Sequence, residues 1–350
     1  MTPSIRPGPA ITVIGDGLAG SVLALELARR GASVRLLGAE QATATALSYG
    51  ALPRGRASRA WARLQRAHGP LGWRASGLVF HDSRPGLPAG LAALTRVVPF
   101  PLARVDAPTW MGARGAALAA AGVEHRSGRV GGVRARPSGG WWLDWTSAVA
   151  GEGSAQLVAE TVVLAAGASC RALWPALPVR LRHSWAGVLL LEAGGPPNSW
   201  LDQARKGRIV QPRHWRRPAL EAAAAELERP AWIVDAGMAP RGDGVVVGQI
   251  TLIPPAAAHP TVPLGLEPPD PSWMEERLRS GLGQLDPELA GLEAPYRQVP
   301  VSFCSDGQPL VGPVAEAPGL WVFAGFSGAF SRVPVAASGL ASRLLGGAAS

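Results

Sequence analysis

Gly15, Gly17 and Gly20 stand in a G-x-G-x-x-G run, a spacing that suits one kind of chemistry, the holding of phosphate by backbone amides. The first glycine permits a tight turn, the second lets the main chain approach a pyrophosphate, and the third lets a helix lie close on a strand. Leu18 and Ala19, inside the run, would open that helix, whose free N–H groups then face the phosphates. One member of the usual set is out of place. The acidic residue that receives ribose hydroxyls is expected about 20 residues on; this chain has Gly38 there, and the nearest carboxylate is Glu40. Either Glu40 reaches the ribose or backbone groups hold it. No catalytic triad or carboxylate pair stands out elsewhere, and Cys170 and Cys304 lack metal-ligand spacing. The chemistry is therefore expected to reside in a bound dinucleotide, with no metal.

The elements around the glycines support that reading. Residues 10–14 (AITVI) are a short, β-branched apolar run, as in a buried parallel strand. The apolar SVLALELARR that follows the glycines reads as a helix ended by Gly31, and SVRLL (33–37) as a second strand. Residues 108–122 read as a helix, VEHRSGRVGGVRA as a strand, and AETVVLAAGA as another buried strand. Between about 180 and 300 the pattern changes to short strands (GVLLLEA, AWIVDAG, GVVVGQITLI) among Pro- and Gly-rich turns, then a helix around 273–285. LWVFAG and VPVAASGLASRLLGG return to strand and helix. The fold class is thus α/β: a Rossmann-type dinucleotide domain from 1–75, 107–178 and 302–350, with a discontinuous antiparallel-sheet substrate domain from 76–106 and 179–301.

At 350 residues with 47% hydrophobic and 17% charged residues, the chain reads as globular. Its net charge is +9, and Lys206 is the only lysine. The arginines are scattered and no RNA-binding motif accompanies them, so composition explains them better than a nucleic-acid partner. The N-terminal apolar run is broken by Gly15, Asp16 and Gly17 and is not read as a signal peptide, nor is any stretch read as a membrane span. The two cysteines are expected to be reduced thiols, and the expected location is the cytoplasm. A homo-oligomer is compatible with the sequence.

The order of segments resembles the FAD-dependent D-amino-acid oxidase, glycine oxidase and sarcosine oxidase superfamily. Five stretches carry the resemblance: ITVIGDGLAGSVLALELARRG, ATALSYGALP, VDAPTWMGARGAALAAAGVEHRSGRVGGVRA, AETVVLAAGASCRALWPALPVR and SDGQPLVGPVAEAPGLWVFAGFSGAFSRVPVAASGLASRLL. The resemblance implies FAD as cofactor. It places Ser48 and Gly50 along the pyrophosphate and flavin, Val130 at the adenine, and Ala165, Ala166 and Gly167 in the turn beside the cofactor. It also sets Asp306, Gly307, Pro309 and Gly312 in a D-G-x-P-x-x-G signature, and Gly325, Ser327 and Gly328 in a loop donating to the isoalloxazine. Two arginines, Arg332 and Arg56, fall on the carboxylate-binding positions of the sarcosine-oxidase type, where a guanidinium fork matches a carboxylate. Cys304 does not fall on the flavin-attaching position, which implies non-covalent FAD. Val301 replaces the glycine-oxidase arginine, Val246 replaces an oxygen-promoting lysine, and Ala329 and Phe330 replace a histidine and a glycine in the flavin turn.

The activity implied is oxidation of the C–N bond of a small amine or amino acid by hydride transfer to flavin N5. His183, Trp185, Tyr296 and Phe303 are candidates for the pocket wall. Two other readings stay open: a flavin enzyme modifying the tRNA wobble uridine, and a flavin-binding homologue without amine turnover.

Overall fold

The computed structural model describes residues 10–39, 43–82, 100–256 and 267–346. Two sheets organise it. In the first, β17 (Leu320–Ala324), β9 (Thr161–Leu164), β1 (Ala10–Ile14), β2 (Ser33–Gly38) and the start of β6 (Glu124–Ala135) run parallel in that order. The rest of β6 continues into an antiparallel meander with β7 (Trp141–Ser147) and β8 (Ser154–Ala159), and β16 (Leu310–Pro313) closes the other edge.

Alternation along these strands assigns each side chain to a face. Ile11, Val13, Val34, Leu36, Val163 and Phe323 point one way, into a core shared with the helices Leu18–Arg29, Ala107–Ala120 and Ala329–Gly346. Ile14, Leu37, Val162, Leu164 and Val322 point the other way, onto Leu143, Trp141 and Trp145 of the meander. The sheet is buried on both faces, which is why its strands read as nearly unbroken apolar runs.

The second sheet has the order β15 (Tyr296–Cys304), β10 (Leu181–Leu191), β14 (Gly244–Ile253), β13 (Met238–Arg241), β11 (Arg208–Gln211), β4 (Trp73–Phe80), β5 (Phe100–Val105), β3 (Ala51–Leu52), with β12 (Ala231–Val234) also on β14. Its neighbours are antiparallel except β11 and β4. The helix Pro271–Leu285 covers it through Met274, Leu278 and Leu282. The sheet also recruits β3 and residues 73–75, from a stretch that the sequence gives to the first domain.

The two layers are pinned where β5 runs into the helix Ala107–Ala120. Asp106 is the N-cap of that helix, accepting from Thr109 N (3.2 Å) and Thr109 Oγ1 (2.7 Å). It also accepts from Gly242 N (3.1 Å) and pairs with Arg104 Nη1 (2.9 Å), which in turn donates to Pro240 O (3.3 Å). Burial alone would raise the Asp106 pKa, but these donors outweigh it and hold the carboxyl down at about 2. Both partners are buried, and both Asp106 oxygens accept hydrogen bonds, which offsets the cost of burying the carboxylate.

The core of the first layer holds a second buried hydrogen bond, made by a helix that is not among the elements expected from the sequence. The helix Arg56–His68 buries Ala57, Ala60, Trp61 and Leu64, the i, i+3, i+4, i+7 stripe of an amphipathic helix. Trp61 lies 5.8 Å from the Phe330 ring, near parallel to it, and its Nε1–H donates to Phe330 O at 2.7 Å. That carbonyl is free because Pro334, four residues on in the helix Ala329–Gly346, has no N–H to give it. The helix thus starts four residues earlier than the apolar run from Val333 suggested. Trp61→Phe should cost about 2–4 kcal/mol, from the lost ring volume and an unpaired buried carbonyl. Pro334→Ala restores an N–H donor, so it should be better tolerated in the Trp61→Phe background than in wild type. A double-mutant cycle by urea denaturation checks this; strict additivity would refute the account.

Candidate active site

A cavity of 590 Å³ lies between the two layers. Its floor is the glycine run. Gly15 turns the chain out of β1 at φ +108, and any Cβ there would lie under 3.0 Å from the backbone of Ala165 and Ala166. A Cβ on Gly20 would collide with Gly15 O, so this residue packs helix on strand and does not line the cavity. Gly15, Gly17, Leu18 and Ala19 do line it. The helix Leu18–Arg29 has no capping side chain of its own and no acid in its first turn. Leu18 N donates to Thr45 Oγ1 (3.1 Å), and the cavity opens on the turn around it.

Other expected cofactor residues take three kinds of place. Ser48, Val130, Ala166, Gly167 and Gly328 line the cavity, with Ala165, Ala329 and Phe330. Gly50, Gly325 and Ser327 stand behind the lining. Gly50, at φ +64, is bound into β5 through Val105 N–H to its carbonyl (2.9 Å), and Gly325 leaves room for the Cys304 thiol. Ser327 Oγ donates to the buried Glu221 Oε2 (2.6 Å), whose other oxygen pairs with Arg217 Nε at 3.2 Å; Arg217 itself lines the cavity. Asp306 and Gly312 are away from the lining. Asp306 shapes a turn, accepting from Gln308 N (3.0 Å) and pairing with Arg180 (2.9 Å), while Gly312 lies beside Arg343. Glu40 lies outside the described residues.

The two carboxylate arginines need correction. Arg332 is exposed, and its Nη1 donates to Gly307 O at 2.5 Å. Because the C-terminal helix starts at Ala329, Phe330 and Val333 turn inward and Arg332 turns out. Arg56 is on the solvent face of its helix, with Arg59 and Arg63. Neither reaches the cavity. Of the four candidate wall residues, His183 and Trp185 line it, whereas Phe303 is fully buried against Ala224 and Ile253, and Tyr296 packs on Gly187.

Different arginines do face it. Arg171, Arg182 and Arg217 line the wall, joined by Arg129 and Gln249. Arg182, 5% exposed, donates from Nη2 to Pro254 O and Pro255 O (both 3.1 Å), yet its Nε makes no hydrogen bond. Nε and Nη1 of Arg171 are buried and also unbonded. Among the described residues no carboxylate pairs with either guanidinium. Burial lowers the pKa of both, and for Arg182 so does the Arg171 charge. Buried cations without a counter-charge are costly, and an anion in the cavity would satisfy these N–H groups. Nothing in a chain so rich in arginine marks these residues out. Val301 lines the same cavity, and Val246 is in the core.

A small-residue floor, a helix start with no capping side chain of its own and unbonded guanidinium atoms together fit a flavin dinucleotide. A parallel sheet with this fingerprint, roofed by a mostly antiparallel sheet over one cavity, defines a two-layer flavoprotein of the oxidoreductase class. The profile of the FAD dependent oxidoreductase (DAO) family matches residues 101–343, and the chain belongs to that family. It is an FAD-dependent enzyme. Among solved structures it is similar to a glycine oxidase from Geobacillus kaustophilus (17% identity, 96% of this chain and 94% of that one, TM-score 0.67). It is also similar to an iminodiacetate oxidase from Chelativorans sp. BNC1 (17%, 96% and 95%, 0.65) and an L-proline dehydrogenase from P. horikoshii (14%, 98% and 95%, 0.64). No curated protein sequence matches the chain. Among the described residues no helix is long and apolar enough to cross a membrane.

His183 reports on the field inside the cavity. Burial, then Arg182 and Arg171, push its pKa down from 6.5 to about 4. The folded state therefore binds this proton less readily than the unfolded state. The stability held by neutral His183 is complete above pH 6.5 and is lost as pH falls toward 4, by about 2 kcal/mol at pH 5. Urea denaturation at pH 7 and pH 5 should show that loss in flavin-free wild type, and His183→Gln should remove it. An equal loss in both proteins would refute the assignment.

Proposed function

We propose that this protein oxidises the C–N bond of a small amine or amino acid by hydride transfer to non-covalently bound FAD. The carrying observation is that one cavity runs from the dinucleotide fingerprint to a cationic wall in which Arg182 Nε and Arg171 Nε and Nη1 have no hydrogen-bond partner. Residues 179–301, with 76–106, supply the substrate side. On this reading Gly15, Gly17, Leu18, Ala19, Ser48, Val130, Ala166, Gly167 and Gly328 cradle the cofactor, which supplies the hydride acceptor. Arg182 and Arg171 take the substrate carboxylate in place of Arg332 and Arg56, since a carboxylate satisfies their unbonded N–H groups. Trp185, Phe326 and Phe330 give apolar walls that exclude water while the substrate carbon is held for transfer.

The structural relatives named glycine oxidase, iminodiacetate oxidase and L-proline dehydrogenase support an amine or amino acid as substrate. In anaerobic spectra, glycine, sarcosine, proline or a D-amino acid should bleach the bound flavin. Arg182→Ala should raise KM for that amino acid by about 10–100-fold with a smaller change in kcat, as expected for a lost charged hydrogen bond. Bound flavin that no amine bleaches would overturn the reading.

Non-covalent attachment is supported by the cysteines. Both thiols are free and buried; burial pushes Cys170 up to about 12 and raises Cys304, and neither lines the cavity. Acid precipitation should leave all the yellow colour in the supernatant. A fluorescent protein band on a denaturing gel would refute this.

A further inference from the structure

The ribose-binding carboxylate that β2 lacks has a replacement in the glycine run itself. A Cβ built on Gly38 would lie under 3.0 Å from Cγ, Oδ2 and Cβ of Asp16. The Asp16 side chain thus fills the space that a side chain at the end of β2 would need, and it can do so because residue 38 is glycine. Asp16 is 9% exposed and lines the cavity. It is held from two elements of the first layer. Arg114 of the helix Ala107–Ala120 places Nη2 3.2 Å from Oδ2, and its Nη1 donates to Asp16 O. His125 of β6, in register with Leu36 of β2, places Nε2 3.2 Å from the same Oδ2. Oδ1 has no hydrogen-bond partner among the described residues. One oxygen is therefore anchored and the other left to accept.

We propose that Asp16 is the carboxylate that receives the adenosine ribose hydroxyls of the bound dinucleotide, in place of residue 38. A ribose diol supplies O–H donors, and an ionised carboxylate is a strong acceptor for them. An acid inside a phosphate-binding turn would otherwise repel the diphosphate; Arg114 beside it offsets that charge. Arg114 and His125 are positioning residues, acting on the ribose through Asp16. Gly38 and Asp16 are thus two halves of one device, and neither is informative without the other.

The proposal rests on the flavin dinucleotide reading, and its test separates the two. The probes are FAD and its analogue with 2′-deoxyadenosine, with dissociation constants taken from quenching of flavin fluorescence on binding to apoprotein. Wild type should bind FAD about 10-fold or more tightly than the deoxy analogue, the scale of a charged hydrogen bond. Asp16→Asn should lose most of that discrimination, with circular dichroism of the apoprotein showing that the fold is retained. Asp16→Gly combined with Gly38→Glu returns a carboxylate to the end of β2 and should restore discrimination. If Asp16→Asn discriminates as wild type does, or the folded double variant fails to discriminate, the assignment is overturned. Wild type that binds neither dinucleotide would instead refute the cofactor reading.

Discussion

The architecture depends on one close approach, that of Gly20 to the carbonyl of Gly15. No side chain fits between them, so the helix Leu18–Arg29 lies directly on the turn that leaves β1. The same turn touches the backbone of Ala165 and Ala166 at the end of β9, the other parallel neighbour of β1. Two segments remote in sequence, the glycine run and the end of β9, thus meet at contact distance, and their meeting point is the cavity floor. The helix start, the glycine turn and the turn after β9 are packed backbone against backbone. This gives the site a rigid base before any ligand arrives.

The two layers are then joined by polar groups of opposite character. Asp106 is fully satisfied: it caps a helix, accepts from Gly242 and pairs with Arg104. Within the first layer Phe330 O is satisfied as well, because Trp61 donates where Pro334 does not. Arg182 and Arg171 are left partly unbonded in the cavity wall. The contrast is informative. Both oxygens of Asp106 have donors at the seam, while two guanidiniums facing the cavity keep N–H groups that an anion there would satisfy.

Much of the first layer was legible in the sequence, because parallel strands are apolar on both faces and the glycine spacing is a steric requirement. Ala10–Ile14 and Gly244–Ile253 coincide with the strands expected, and Glu124–Ala135 with its strand to within a residue. The errors came from counting along the chain instead of around a helix. Arg56 falls on a carboxylate-binding position by linear alignment with the family, while the Ala57, Ala60, Trp61, Leu64 stripe around it shows which face is buried. Arg332 failed for the same reason, since Pro334 hid the true start of its helix. Arg171 and Arg182 were not legible, because their distinction from the other arginines is burial, and burial is set by the tertiary fold. Asp16 was visible as a letter in the glycine run, but its significance needed the distance to Gly38.

The cationic wall also bears on how an amine could react here. Hydride leaves the carbon beside nitrogen only when that nitrogen is neutral and can share its lone pair, whereas free amino acids carry an ammonium at neutral pH. The chamber already shows what it does to a base: burial, Arg182 and Arg171 hold His183 neutral down to about pH 4. On the proposed reading a bound amino acid brings one carboxylate to two guanidiniums, so a net positive charge remains beside its amine. That charge and the apolar walls act in the same direction, disfavouring ammonium as they disfavour imidazolium. The arginines would then do two things with one field, orienting the carboxylate and shifting the neighbouring nitrogen toward its reactive form. This requires no dedicated base, in keeping with a cavity in which the only histidine among the described lining residues is itself held neutral by burial and the same two charges.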